Sequence, residues 1–335
     1  MKLLGDRAVF MMQRRHFGAA LLAGLAAPRL APAQEAWPAR PVRIVAPFAP
    51  GGAPDVAIRL ALPRLTERLG QPFVVENRPG GNGTIAAEAV ARAAPDGYTL
   101  LLATNSVVAI NPALFGPRLA YQPEKDFVPI ARLARLPFFL FVPAHSPARD
   151  LKGLFAQARS ARQPLAYATN GSGTVGHLAT EQLQRAAGIE LTHAPYRGYP
   201  AALADLIAGR VDLCISDLTV FGGPLRGGQL RALAAVAPER SPFLPDVPAL
   251  PELGFPALDG SVWFGLFAPA GTPEGVIARL DQELRDWLAL EATRAGLANI
   301  SQEPAYLGRE TLPAQLRQER ARYAEVIASA GIRPD

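Results

Sequence analysis

The sequence is poor in cysteine, lysine, histidine and long apolar runs. One cysteine in 335 residues leaves no disulfide to form within the chain. Cys214 sits in the apolar run Val211-Asp212-Leu213-Cys214-Ile215, where a buried and inert thiol is expected. The histidines are His16, His145, His177 and His193. None has Cys or carboxylate neighbours at the spacing of a metal site, so no metal or other cofactor is expected. No Gly-x-Ser-x-Gly elbow marks a hydrolase, and no Gly-Lys-Ser/Thr follows a glycine loop to grip phosphate. Charged residues make up only 19% of the chain while 49% is hydrophobic. That balance describes a globular protein long enough for two ordinary domains.

What basic excess exists is concentrated at one end. The whole chain carries a formal net charge of +5, yet residues 1–33 hold five of the 34 basic residues and one of the 29 acidic ones. The remainder has 29 against 28, so the charge points to no nucleic-acid partner. Those first residues have the design of an export leader. Arg14 and Arg15 precede the apolar run Phe17–Ala27, which is 11 residues long and well short of the ~20 needed to span a bilayer. Ala31-Pro32-Ala33 then supplies a small-x-small cleavage pattern before Gln34. Arg14-Arg15-His16-Phe17 also resembles a twin-arginine signal. No cysteine stands in this leader, so no lipid anchor is expected, and Met11 or Met12 would serve as well as Met1 for a start. The expected location is the periplasm, in soluble form after cleavage.

Beyond the leader, strand-like and helix-like segments alternate in the manner of an α/β protein with parallel strands. Strands are expected at Val42–Phe48, Phe73–Glu76, Tyr98–Ala103, Phe138–Val142, Leu165–Ala168, Val211–Ile215 and Trp263–Ala268. Helices are expected over 54–69, from Gly83 to about Ala94, from Gly173 to Ala187, over Tyr199–Ala208, from Thr272 to Leu288 and from Pro313 to Ala330. Pro63 should kink the first of these. The Pro-rich stretch Ser241–Pro256 reads as an ordered loop. No Gly/Ser-rich connector separates two domains; two lobes that share close backbone crossings near residues 136 and 262 fit better. The expected division is 37–135 plus 262–335 for one lobe and 136–261 for the other.

Three times a strand ends in a glycine-rich turn that opens a helix: Phe48-Ala49-Pro50-Gly51-Gly52, Pro79-Gly80-Gly81-Asn82-Gly83-Thr84 and Thr169-Asn170-Gly171-Ser172-Gly173-Thr174. Glycine lets backbone N–H groups face a ligand, and the helix amino terminus adds positive potential. Such a turn holds an anion without an arginine. Three of them imply a cleft at the carboxyl ends of strands. His177 could reach a ligand there or cap local backbone, His193 reads as a surface or packing residue, Arg197 as a solvated one, and Trp263 as a pocket wall or a filler of the lobe junction.

Many ordered blocks of the chain resemble the Bug family, the solute-binding component of tripartite tricarboxylate transporters. They include Pro47-Phe48-x-Pro50-Gly51-Gly52-x-x-Asp55, Val74-Val75-Glu76-Asn77-Arg78-Pro79-Gly80, Ala94-Pro95-Asp96-Gly97-Tyr98-Thr99-Leu100 and Ile110-Asn111-Pro112. Gly171-x-Gly173-Thr174 with His177-Leu178, Pro195-Tyr196-Arg197-Gly198, Leu244-Pro245-Asp246-Val247-Pro248 and Trp263-Phe264-Gly265-Leu266-Phe267-Ala268-Pro269 continue the likeness toward the C-terminus. The resemblance implies a type II periplasmic-binding-protein fold of two Rossmann-like lobes with a ligand cleft between them. It implies a receptor, not an enzyme, that captures a small carboxylate and passes it to integral-membrane transporter subunits, with a monomer expected. An orphan sensor feeding a two-component system is the alternative. Carried over by residue, the resemblance points to Phe48, Gly51, Gly52, Gly83, Thr84 and Thr104 in one lobe. In the other it points to Ser172, Gly173, Thr174, His177, Ser216 and Asp217. The chain departs from the family pattern at Pro54, at Val107-Val108, and at Ser216, where an Asp is usual and Asp217 follows one place late. These departures bear on the ligand and not on the fold.

Overall fold

The structure, a computed structural model, describes residues 37–255, 258 and 260–334; the leader expected over 1–33 lies outside them. Two mixed sheets organise residues 40–334. The six-stranded sheet is built on β1 (Val42–Ala46), β2 (Phe73–Asn77) and β3 (Thr99–Thr104), which run parallel. β4 (Phe127–Leu136), β10 (Val262–Pro269) and β11 (Glu303–Gly308) complete it in the order β11-β4-β10-β3-β1-β2. The five-stranded sheet has the order β7-β6-β8-β5-β9, formed by β5 (Phe139–Pro143), β6 (Leu165–Thr169), β7 (Leu191–Pro195), β8 (Leu213–Ser216) and β9 (Leu230–Ala235).

Neither sheet is wholly parallel, contrary to the sequence expectation, and the chain crossings explain why. β4 ends at Leu136 and β5 begins at Phe139 in the other sheet. Only Pro137 and Phe138 stand between the two strands, so β5 must begin at the edge where β4 ends. It runs away from that edge, antiparallel to both β8 and β9. β10 starts at the return crossing and runs antiparallel to both β3 and β4. The result places the carboxyl ends of β1, β3, β6 and β8 at the edges where the two sheets face each other.

The central strands are buried nearly end to end: all of β5, and all of β1 except Arg43. Helices on both faces provide that cover. They are α1 (Ala53–Leu69), α2 (Thr84–Ala91), α3 (Asn111–Phe115), α4 (Leu151–Ser160), α5 (Val175–Ala187), α6 (Tyr199–Ile207), α7 (Leu218–Arg226), α8 (Glu274–Ala289), α9 (Glu291–Asn299) and α10 (Leu312–Ala330). α1 continues through Pro63 as one element and stops at Gly70, whose φ of 76° is the left-handed C-cap. Cys214 is fully buried beside Phe139, Phe141 and Phe221, and burial pushes its thiol far above the usual range.

Four strands escaped the sequence reading. β7, β9 and β11 lie at sheet edges, as does β2, which the sequence did signal. β11 includes Pro304, which an edge strand tolerates because no ladder donor is needed on its open side. β4 is interrupted by Arg132 and Arg135, whose guanidinium groups reach Ala305 O at 2.7 Å and Glu303 Oε2 at 2.6 Å on β11. α10 adds a tie that no local pattern signals. Trp263 Nε1 donates to both oxygens of Glu319 at 2.9 Å, and Arg185 on α5 donates to Ser329 Oγ. One helix thus bonds both to a strand of the six-stranded sheet and to α5.

Candidate functional site

Each of the three glycine turns is held by one buried polar side chain. After β1, Gly51 adopts φ 83° and donates its N–H to Asp55 Oδ2 at 2.9 Å. Asp55 is 1% exposed and also accepts from Arg59 at 3.0 Å and from Asn77 Nδ2 at 2.8 Å. Burial pushes this carboxyl up, but the bonds from Arg59, Asn77 and Gly51 outweigh it and hold the group below its ordinary range. Asn77 Nδ2 also reaches Phe48 O at 3.1 Å, which pins the start of the same turn.

The second turn places Asn82 at φ 51°, a left-handed position that Asn tolerates better than most residues. The fully buried Asn111 brackets it: Asn111 Nδ2 donates to Asn82 O at 3.0 Å and Asn82 Nδ2 to Asn111 Oδ1 at 2.8 Å. In the third turn, Gly173 at φ 71° donates its N–H to His177 Nδ1 at 3.0 Å, and Thr174 Oγ1 donates to Gly171 O at 2.8 Å. Gly51 with Asp55 and Gly173 with His177 are the same device. A turn amide bonds to a side chain four residues on, one turn inside the next helix.

Between the sheets lies a cavity of about 230 Å³, sized for a small metabolite rather than a drug-sized molecule. Of the expected residues, Phe48, Gly83, Thr104 and Thr174 line it. Two helix amino termini open onto it, that of α2 behind Gly83 and that of α5 behind Thr174, and neither N-cap residue makes a side-chain capping bond. The Thr84 amide at the head of α2 is taken by Gly81 O; first-turn amides left without a cap need an acceptor from elsewhere. Asn82, Ser106 and Asn170 add polar atoms, while Phe138, Val107 and Val262 form an apolar wall with Tyr199. The rings of Phe138 and Tyr199 meet edge to face at 6.4 Å. Burial pushes the Tyr199 hydroxyl well above its ordinary range, so it stays neutral. Among the described residues, none that lines the cavity carries a charge.

The other expected residues lie outside this lining. Gly51 serves turn geometry, Gly52 precedes α1 with an ordinary φ of −65°, and Thr84 begins α2. Ser172 lines an adjoining cavity of about 290 Å³ that shares Asn82, Asn170 and Thr174 with the first. Gly173 packs against Leu114 of α3: a Cβ there would lie 2.3 Å from Leu114 Cδ2. His177 is turned toward the Gly173 amide. Ser216 is fully buried at the end of β8. Asp217 Oδ1 accepts from the Thr219 amide at 2.6 Å and caps α7, so this carboxyl is spent on its own helix. Trp263 is 3% exposed and fills the core of the six-stranded sheet, bonded to Glu319. Arg197 is exposed.

Sequence reasoning missed Asn82, Ser106, Phe138, Asn170, Gly176 and Tyr199. Asn82 and Asn170 were legible as members of the turns. Gly176 was not, because its reason is tertiary: a Cβ there would lie 2.8 Å from Ile215 O and 3.0 Å from the Tyr199 hydroxyl.

Residues 57–332 match the family described as "Tripartite tricarboxylate transporter family receptor". The chain belongs to that family. It is 34% identical to BugT of Bordetella pertussis over 92% of this chain and 94% of the relative. Among solved structures it superposes on R. palustris Rpa4515 with adipate at a TM-score of 0.81 and 35% identity, covering 89% of this chain and all of that one. MatC (Rpa3494) from Rhodopseudomonas palustris, with bound malate, superposes at 0.74 and 34% identity over 87% of this chain and all of that one. This receptor therefore has the fold of the periplasmic binding proteins and is a solute-binding protein, not an enzyme. Among its described residues, no helix is long and apolar enough to cross a membrane.

Proposed function

We propose that this receptor captures a small carboxylate-bearing metabolite in the periplasm and delivers it to a membrane transporter of the tripartite tricarboxylate type. One observation carries the reading: a cavity with no charge among its described lining residues receives the amino termini of α2 and α5, neither of which has a side-chain cap. Backbone dipoles and N–H groups of that kind hold an anion. The adipate and malate in the related structures support the same class. In this reading residues 37–135 with 262–335 form one lobe and 136–261 the other. The lobes close on the ligand, and the protein acts as a monomer after loss of residues 1–33.

The same lining narrows the ligand. An ammonium group would need a carboxylate partner, since a buried unpaired charge costs several kcal/mol. Asp217 caps α7 and does not line the cavity, and no other described acidic residue does. The ligand is therefore a non-amino dicarboxylate, or a carboxylate with an apolar or aromatic tail set against Phe138 and Tyr199. Calorimetry of residues 34–335 with succinate, adipate and aspartate tests this. Succinate or adipate should bind tighter than aspartate. Aspartate binding tighter would sink the specificity, and no carboxylate binding at all would sink the receptor's proposed ligand class.

A further inference from the structure

The third glycine turn is strapped by two histidines that the carboxylate reading does not use. His177 and His193 stack with ring centroids 3.9 Å apart and planes 17° apart. His177 Nδ1 accepts the Gly173 N–H at 3.0 Å, and His193 Nε2 lies 2.7 Å from Thr169 Oγ1. Thr169 Oγ1 in turn accepts the Gly171 N–H at 3.3 Å. Both imidazoles thus end on the six-residue turn that leads into α5.

The bond to Gly173 sets the protonation state. A backbone amide can only donate, so His177 Nδ1 must be bare and the ring neutral, with its proton on Nε2. A proton on Nδ1 would place two donors face to face and leave the Gly173 amide unpaired. His177 is only 6% exposed, yet a proton on it would not lack a counter-charge: Glu181 Oε1 lies 3.8 Å from Nε2. His193 and Tyr167 also face the ring; the Tyr167 ring centroid is 6.0 Å away and its hydroxyl donates to Glu181 Oε1 at 2.5 Å. The matching turn of the other sheet has no such sensitivity near neutrality, because its clamp is the Asp55 carboxylate, held below its ordinary range.

We propose that His177 is a positioning residue whose neutral imidazole holds the Thr169–Thr174 turn ready for ligand and whose protonation releases that turn, so that mild acid weakens binding. The effect on binding rests on the carboxylate reading above; the clamp itself does not. Adipate serves as the probe, in calorimetry from about pH 8 to about pH 5.5. His177→Asn keeps an acceptor near the Nδ1 position and cannot titrate. The parent should lose affinity by up to about tenfold per pH unit below the imidazole midpoint, beyond any loss in His177→Asn, whose comparison cancels protonation of the adipate itself. Parallel curves for the two proteins would overturn the proposal. A second arm needs neither variant nor ligand. Nitrogen-15 spectra of the parent should show His177 as the Nε2–H tautomer, with the Gly173 amide resonance shifting at the midpoint at which Nδ1 gains its proton. An Nδ1–H tautomer at neutral pH, or a Gly173 amide indifferent to that titration, would overturn it. No adipate binding at any pH would count against the carboxylate reading, and the spectra would then decide the clamp alone.

Discussion

Gly173 meets Leu114 across the cleft, and Leu114, from the segment after β3, fills the space a side chain would need. The glycine's φ of 71° adds a second constraint. Gly51 carries only the second kind: φ is 83° and no atom lies within 4 Å of the place its Cβ would take. The two glycines should therefore respond differently. Gly51→Ala should cost about 1 kcal/mol of stability, from backbone strain alone, and leave a functional site. Gly173→Val should abolish measurable carboxylate binding, since either the turn or Leu114 must move. Urea melts and calorimetry on both variants check this. Gly173→Val binding as well as the parent would show that the turn is no part of the grip.

At the scale of the element, α1 and the turn before it stand on one carboxylate. Asp55 gathers Gly51, Arg59 and Asn77, and through Asn77 the carbonyl of Phe48. Because its folded pKa lies below the unfolded one, the unfolded chain binds the proton more readily. The resulting stability is complete above the unfolded carboxyl value of about 4 and drains away as pH falls below it. Asp55→Asn should lower stability at pH 7 by about 1–3 kcal/mol, with a smaller deficit at about pH 3. Urea midpoints at the two pH values measure it. An equal deficit at both would mean that shape, not charge, holds the turn.

For the whole molecule, the proposed binding should register as stability. A ligand that binds only the folded chain adds about 2.7 kcal/mol at a free concentration about 100 times its Kd. A thermal-shift panel of carboxylates should single out the ligand, and a flat panel would count against the class. Export is testable at the same scale. The mature amino terminus should fall near Gln34 in the periplasmic fraction, and exchange of Arg14 and Arg15 for lysine should block export by a twin-arginine route. Intact leader on cytoplasmic protein would overturn the assignment.

The repeated strand, glycine turn and helix can be read along the chain because that signal is local: a β-branched apolar run, a φ only glycine adopts freely, then helical periodicity. The sequence therefore located the three turns, four of the residues that line the cavity, and the family. The rest depends on long-range packing. Strand direction in each sheet followed from where the chain crosses. The role of a site residue depended on which distant group it meets: Asp217 faces an amide of its own helix, His177 the Gly173 amide, and Gly176 the carbonyl of Ile215. Those partners are brought together by packing between segments far apart in the chain, and no spacing within a single segment encodes them.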